Sequence, residues 1–270
     1  MTSFENPLVK VDIQAGIATI RLDRPEKRNA LHRALMQGIA AALDAVRDDP
    51  AVRVVVLRGN GPAFSSGIDH NFLVEIFQSA QTVPFAHIHH DLQDVFHRLE
   101  RMHKPTIAAM HRACVGMAFE LVLACDFRIA TADCVMGLPE IAFGIIPDVG
   151  GTTRLVRAVG PVKAKELILL GSFLSAEKAE RLGLVTEVAA DERDLDARVL
   201  ALAQRLASRS AVAIGMGKQL IQQSAEIDAR ASFPLEGTVQ EQLMRQPDLG
   251  ARFPAALQEI REAMNRVESK

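Results

Sequence analysis

Two short segments of alternating apolar and polar residues, 8–13 and 17–22, open the chain with Ala15-Gly16 between them, and this spacing predicts a β-hairpin. Helical periodicity follows over 31–46 and stops at Asp48-Asp49-Pro50. Residues 52–57 (VRVVVL) are almost continuously β-branched or aliphatic, the pattern of a strand covered on both faces. That run leads into Gly59-Asn60-Gly61-Pro62. A polar helical region is predicted over 84–102, a strand over 106–110, a helix over 117–125 and a further strand over 126–130. Alternation of strand, loop and helix predicts an α/β fold with a parallel sheet.

From about residue 161 the periodicity is helical, with segments at 161–170, 175–182, 195–208, 211–224 and two beyond. One strand, 184–188, interrupts it. The change of character divides the chain into an α/β core, 1–195, and a helical region, 196–270, with a soft boundary near 190–205. An amphipathic helical tail that cannot bury its own face packs on a neighbour, so an oligomer is expected.

Composition removes several chemistries. There are 12 Phe but no Tyr and no Trp, so tyrosine cannot serve as acid, base or hydride relay. Acid–base work would fall to carboxylates or histidines. The formal charge of -2 gives no bulk attraction for nucleic acid or an anionic membrane. The three cysteines, Cys114, Cys125 and Cys134, have no CxxC spacing and are odd in number. They read as thiols of a reducing, cytoplasmic compartment and not as a zinc site or a disulfide framework. Residues 1–10 carry Glu5 and lack the long apolar stretch of a signal peptide.

Four constellations remain. The loop from Gly59 to Asp69 follows the buried strand, at the carboxyl end where ligands bind parallel sheets. It holds neither of the usual phosphate-loop patterns and reads equally as a tight strand-to-helix turn. Gly116 precedes a second helix whose first N–H groups lack intrahelical partners, so one donor from each loop could hold an oxyanion. Glu120, in that helix, is either an acid complementing the helix dipole or, among Phe119, Leu121, Val122 and Leu123, an acid of raised pKa. Glu140 and Asp148 are the only charges in the apolar run 138–151, with Asp148 alternatively an N-cap. The histidines His87, His89, His90 and His97 raise the question of a metal. On a helix, however, Ile88, Leu92, Val95, Phe96 and Leu99 form the apolar stripe, leaving His90, Asp94, His97 and Arg101 on a solvated or subunit-facing side.

Taken in order, 23–31 (DRPEKRNAL), 63–69 (AFSSGID), 116–121 (GMAFEL) with 124–126 (ACD), 139–140 (PE) through Gly150-Gly151, and 179–185 (AERLGLV) resemble the enoyl-CoA hydratase/isomerase (crotonase) superfamily over about 8–265. The resemblance implies a spiral of ββα units with a helical C-terminal trimerisation region. It implies an acyl-CoA thioester as substrate, CoA entering with the substrate and no separate cofactor or metal. It further implies fatty acid metabolism as the setting, a homotrimer or a dimer of trimers, and neither nucleic acid nor membrane as partner. By position, the backbone N–H groups of Ser66 and Met117 would form the oxyanion hole. Lys27, Arg28, Ala30, Ser66, Gly67, Ile68 and Asp69 would meet CoA. Met117 and Ala118 stand where relatives carry consecutive glycines.

The family's hydratases hold water with two glutamates, matched here by Glu120 and Glu140. Addition of water to a trans-2-enoyl-CoA is therefore the first expected reaction. Asp148 stands where those enzymes usually carry glycine and resembles the dienoyl-CoA isomerases, which would pair it with Glu140; those enzymes, however, generally carry aspartate at position 120. The Pro-Asp-Val-Gly-Gly run also resembles the superfamily's acyl-CoA hydrolases, which lack the acid at 120. A third alternative is a non-catalytic scaffold or acyl-CoA-binding relative.

Overall fold

A computed structural model describes residues 6–268. The first hairpin pairs β1 (Val9–Gln14) with β2 (Ile17–Leu22) across Ala15 and Gly16, both at positive φ. Then follow α1 (Arg33–Arg47), β3 (Val54–Gly59), α2 (His70–Ser79), α3 (Phe85–Arg101) and β4 (Thr106–Met110). The middle of the chain forms β5 (Ala113–Val115), α4 (Met117–Leu123), β6 (Phe127–Thr131), β7 (Val135–Gly137) and α5 (Gly151–Leu169). Next come β8 (Phe173–Ser175), α6 (Ala176–Arg181), β9 (Glu187–Ala189) and α7 (Glu192–Ala207). Three helices complete the chain: α8 (Ala211–Ser224), α9 (Ala229–Met244) and α10 (Leu249–Glu268).

The main sheet has the order β1-β2-β3-β4-β6-β9, and every pair beyond the hairpin is parallel. The aliphatic run in β3 explains its central place. Val55 and Leu57 join the core that holds Leu35, Ile39 and Leu43 of α1. Val54 and Val56 point the other way, into a second cluster with Ile107, Ile129 and Leu195 and Val199 of α7. Alternate residues of a strand face opposite sides, so a strand between two helical layers must be apolar throughout. A second sheet, β5-β7-β8, is built from strands of three residues each.

The expected α/β fold with a parallel sheet is present, with local differences. α2 was not anticipated; Asp69 caps it, accepting from the Asn71 N–H at 2.9 Å. β5, β7 and β8 are too short for a periodicity signal. The helix expected over 161–170 is the second half of α5, which is kinked at Gly160 (φ 75°, ψ 163°) ahead of Pro161. β9 begins three residues later than the strand expected over 184–188.

The chain divides into two compact units, Met1–Ala211 and Val212–Lys270. The first holds both sheets and α1 to α7. In the second, Asp228 caps α9, and the Ser224 and Ser232 hydroxyls meet at 2.7 Å. Among the described residues no helix is long and apolar enough to cross a membrane.

Candidate active site

The floor of the site is made by two loops held against each other by backbone alone. The Ser65 N–H donates to the Ala113 carbonyl at 3.0 Å and the Val115 N–H to the Ser65 carbonyl at 3.4 Å. Ser65 thus runs parallel to Cys114. Gly67 is required there: it has φ +94°, and a Cβ on it would lie 2.5 Å from the Val115 carbonyl oxygen. Three residues past each partner of this bridge stand Ile68 and Met117. Leu31 donates to the Gly67 carbonyl at 2.7 Å and accepts from the Asp69 N–H at 2.8 Å. In this parallel pairing the N–H of Ile68 faces away from Leu31. Met117 opens α4, after Gly116 at φ 57°, and its N–H belongs to the turn that has no intrahelical acceptor. Among the described residues neither the Ile68 nor the Met117 N–H finds an acceptor in the chain.

One of the expected oxyanion donors therefore moves. The Ser66 N–H is spent on the Arg28 carbonyl at 2.9 Å, and Ser66 does not line the cavity. Ile68 and Met117 both line it. Only the pairing of Leu31 with Ile68 reveals which amide of the loop is left unused, and local sequence carries no sign of that pairing.

The cavity has a volume of about 380 Å³. Leu73, Ile76 and Phe77 of α2, Phe85 and Leu92 of α3, and Ile145 and Ile146 make an apolar wall. Among the described residues, Glu140 and Asp148 are the only ionisable groups on its surface. Glu140 starts a single 3-10 turn, Glu140–Phe143, and its Oε2 is buried without a hydrogen-bond partner. Gly116 gives it room, since a Cβ there would lie 2.9 Å from Glu140 Oε1. Glu120 lies behind, 2% exposed, with Oε2 accepting from the Gly151 N–H at 2.7 Å. A Cβ on Gly151 would meet Glu120 Cγ at 2.5 Å, so that approach also needs glycine.

Burial pushes Glu120 up to about 8, and the charge of Glu140 adds to this, while the N–H groups of Gly151 and Val149 oppose it. Burial pushes Glu140 up to about 7, with the charge of Asp148 adding. Asp148 is also raised, by burial first, against the opposing charge of His89. Three carboxyl groups whose charges disfavour one another cannot all be ionised cheaply near neutrality.

Asp148 is not an N-cap. Gly150 holds that position, with no side-chain cap. The Asp148 main-chain carbonyl instead accepts from His89 Nε2 at 2.7 Å and Gln93 Nε2 at 3.1 Å. His89 and Gln93 stand four apart on the flank of the apolar stripe of α3, a spacing that is the one sequence sign of their shared contact. Among the described residues no three metal-ligating side chains cluster.

Of the residues expected at CoA, Ile68 lines the cavity and the others differ in exposure. Lys27, Arg28 and Ser66 are exposed and available. Ala30 and Gly67 are buried, Ala30 offering its carbonyl to Arg24 Nη1 at 2.9 Å. The Asp69 carboxylate is occupied, pairing with Arg24 at 2.7 Å while capping α2. Asn29, which sequence reasoning passed over, organises this corner. It is fully buried at φ 52°; its Nδ2 donates to the carbonyls of Asn60 (2.9 Å), Ala63 (2.9 Å) and Phe64 (3.1 Å). Asparagine tolerates the left-handed region better than most residues, which was the available signal.

The enoyl-CoA hydratase/isomerase family model matches residues 12–259. The chain belongs to the enoyl-CoA hydratase/isomerase family. It is 37% identical over 246 residues to the enoyl-CoA isomerase/hydratase fer4 of Mycosarcoma maydis, covering 86% of each chain. It is 34% identical over 226 residues to the 2,3-dehydroadipyl-CoA hydratase of Escherichia coli K12, covering 84% of this chain and 86% of that one. The crystal structure of an enoyl-CoA hydratase from Bacillus anthracis superposes with a TM-score of 0.85 at 30% identity, covering 93% of this chain and 96% of that one. The fold is thus the crotonase fold, and the protein is an enoyl-CoA hydratase/isomerase family enzyme.

Proposed function

We propose that the enzyme adds water across the 2,3 double bond of a trans-2-enoyl-CoA. The observation that carries this reading is the pair Glu120 and Glu140, electrically coupled and poised at about 8 and about 7, beside two unused backbone donors. The thioester oxygen would sit on the Ile68 and Met117 N–H groups. As the water oxygen, oriented by Glu120, bonds to C3, its proton passes to the ionised member of the coupled pair. The C2–C3 electron pair moves toward the thioester, and the resulting enolate oxygen is held by the two amides. Glu140, protonated, then delivers a proton to C2. One proton shared by the pair serves both tasks, and sharing it returns the site to its starting state.

Purified protein should consume the conjugated absorbance of short- or medium-chain trans-2-enoyl-CoA, and Glu140→Gln should abolish this. An inert mixture across chain lengths overturns the reading. The occupant of the cavity is then an apolar acyl chain, with the CoA phosphates meeting Lys27 and Arg28. The same reading carries a homotrimer or a dimer of trimers and a reducing cytoplasmic setting, which sedimentation and cell fractionation test.

A second reading is favoured by one observation: Asp148 lines the cavity together with Glu140. In a 3,5- to 2,4-dienoyl-CoA isomerisation, one of these acids takes a proton from C2. The electrons shift along the chain through an enolate, and the other acid returns a proton at C6. No water is consumed. Asp148→Asn should stop this conversion while hydration survives; full isomerisation in that variant removes the assignment.

A further inference from the structure

The histidine-bearing helix α3 carries polar groups that neither reaction uses. Residues 85, 89, 92, 93 and 96 recur at spacings of three and four and so share one face. Phe85 and Leu92 line the cavity and Phe96 is fully buried. Between them His89 and Gln93 converge on one acceptor, the Asp148 carbonyl, at 2.7 and 3.1 Å. A carbonyl oxygen only accepts, so His89 must carry its proton on Nε2. The ring of Phe85 lies 5.9 Å from that of His89 and backs the imidazole. The next carbonyl, Val149, accepts from Arg154 Nη1 at 3.1 Å, and Arg154 is paired with Glu100 of α3 at 2.8 Å. Two successive peptide units at the third acid are thus tied to one helix.

We propose that His89 and Gln93 are positioning residues which, by pinning the Asp148 carbonyl, keep the Asp148 carboxyl in the cavity beside Glu140 and so set the share of proton shift over water addition. The inference rests on the reading of Asp148 as a proton-carrying acid of the site. When the carbonyl is released, the Asp148 side chain leaves the apolar cavity. The space beside Glu140 then fills with water, which favours the reaction that consumes water.

The test compares wild type, His89→Leu/Gln93→Leu and His89→Gln. Each is assayed with a 3,5-dienoyl-CoA and a trans-2-enoyl-CoA, and the Asp148 carboxyl is titrated by carbon-13 NMR. In the double variant the ratio of isomerisation to hydration should fall on the order of 10²-fold, the scale of a misplaced reacting group. The Asp148 titration should drop toward the ordinary aspartate range. His89→Gln removes the imidazole but keeps a donor, so it should restore the ratio and keep Asp148 raised beside Glu140 and Glu120. An unchanged ratio with an unchanged titration overturns the proposal, as does a failure of His89→Gln to restore them in a folded protein. If wild type isomerises nothing, the reading of Asp148 falls with it, and the titration alone decides whether His89 and Gln93 hold that carboxyl.

Discussion

The floor and the wall of the cavity are built by different physics. The floor, where Ser65 runs beside Cys114, is tied by main-chain hydrogen bonds and closed by a glycine against a carbonyl. Its two free donors are main-chain N–H groups, so the side chains of Met117 and Ala118 remove neither, while Ser65 Oγ and Asn29 Nδ2 brace the first loop. The wall, from α2, α3 and the segment 144–150, is held by side chains such as His89, Gln93 and Arg154. An oxyanion needs donors that do not move as charge develops, and backbone at the ends of strands supplies them. Acids need a tunable setting, which side chains on helices and turns provide. Rigidity and selectivity are thereby assigned to separate regions.

The largest effect should come from the acid at the border of the two regions. Glu140→Gln should lower kcat/KM for hydration by roughly 10²–10⁴-fold, the usual worth of a general acid–base group. Added acyl-CoA should still raise its melting temperature, because the floor is intact. Next, Gly67→Ala should cost on the order of 10²–10³-fold in kcat, the worth of an oxyanion donor, and lower the melting temperature as well. Gly183→Ala is the comparison: φ there is 73°, but nothing lies within 4 Å of its added Cβ. It should show the left-handed strain alone, about 1–2 kcal/mol, with kcat kept. Equal kinetic losses in both would erase the distinction between floor and scaffold.

The wall-side acids should shape the pH profile. Below about 7 both glutamates hold protons and the base is lost; above about 8 both ionise and the acid is lost. The rate should therefore be bell-shaped with its maximum between these values, and Asp148→Asn should shift the Glu140 limb downward by removing a like charge. A flat profile from pH 6 to 9 would contradict the coupled pair. The smallest effect should be structural: Asn29→Ala leaves three carbonyls, two of them buried, short of a donor and should cost about 1–3 kcal/mol, read by denaturant melts. Glu75→Ala, which breaks only the exposed pair with Arg33, should cost under about 1 kcal/mol.

Much of this was legible in the chain itself. The run at 52–57 announced a strand between two layers, the apolar neighbours of Glu120 announced an acid of raised pKa, and the isolation of Glu140 and Asp148 in an apolar stretch marked both as candidates. What escaped notice shares one cause. Ile68, Asn29 and His89 owe their roles to partners 37, 31 to 35 and 59 residues away in sequence, at Leu31, the 60–64 loop and Asp148. Asp69 was expected at CoA through the resemblance alone, and nothing local to it showed that its carboxylate caps α2 and pairs with Arg24, 45 residues away. Periodicity reports which face an element buries, not which distant carbonyl meets that face.

The thiol of Cys114 lies in the floor itself, fully buried, two residues ahead of Gly116, and burial pushes its pKa well above the usual thiol value. A reagent from solution reaches its Sγ only when the two loops part. Its rate of capture by a small alkylating compound is therefore a clock for how often the floor comes undone. In a chain with no tryptophan or tyrosine to fluoresce, that clock gives the architecture its own built-in reporter.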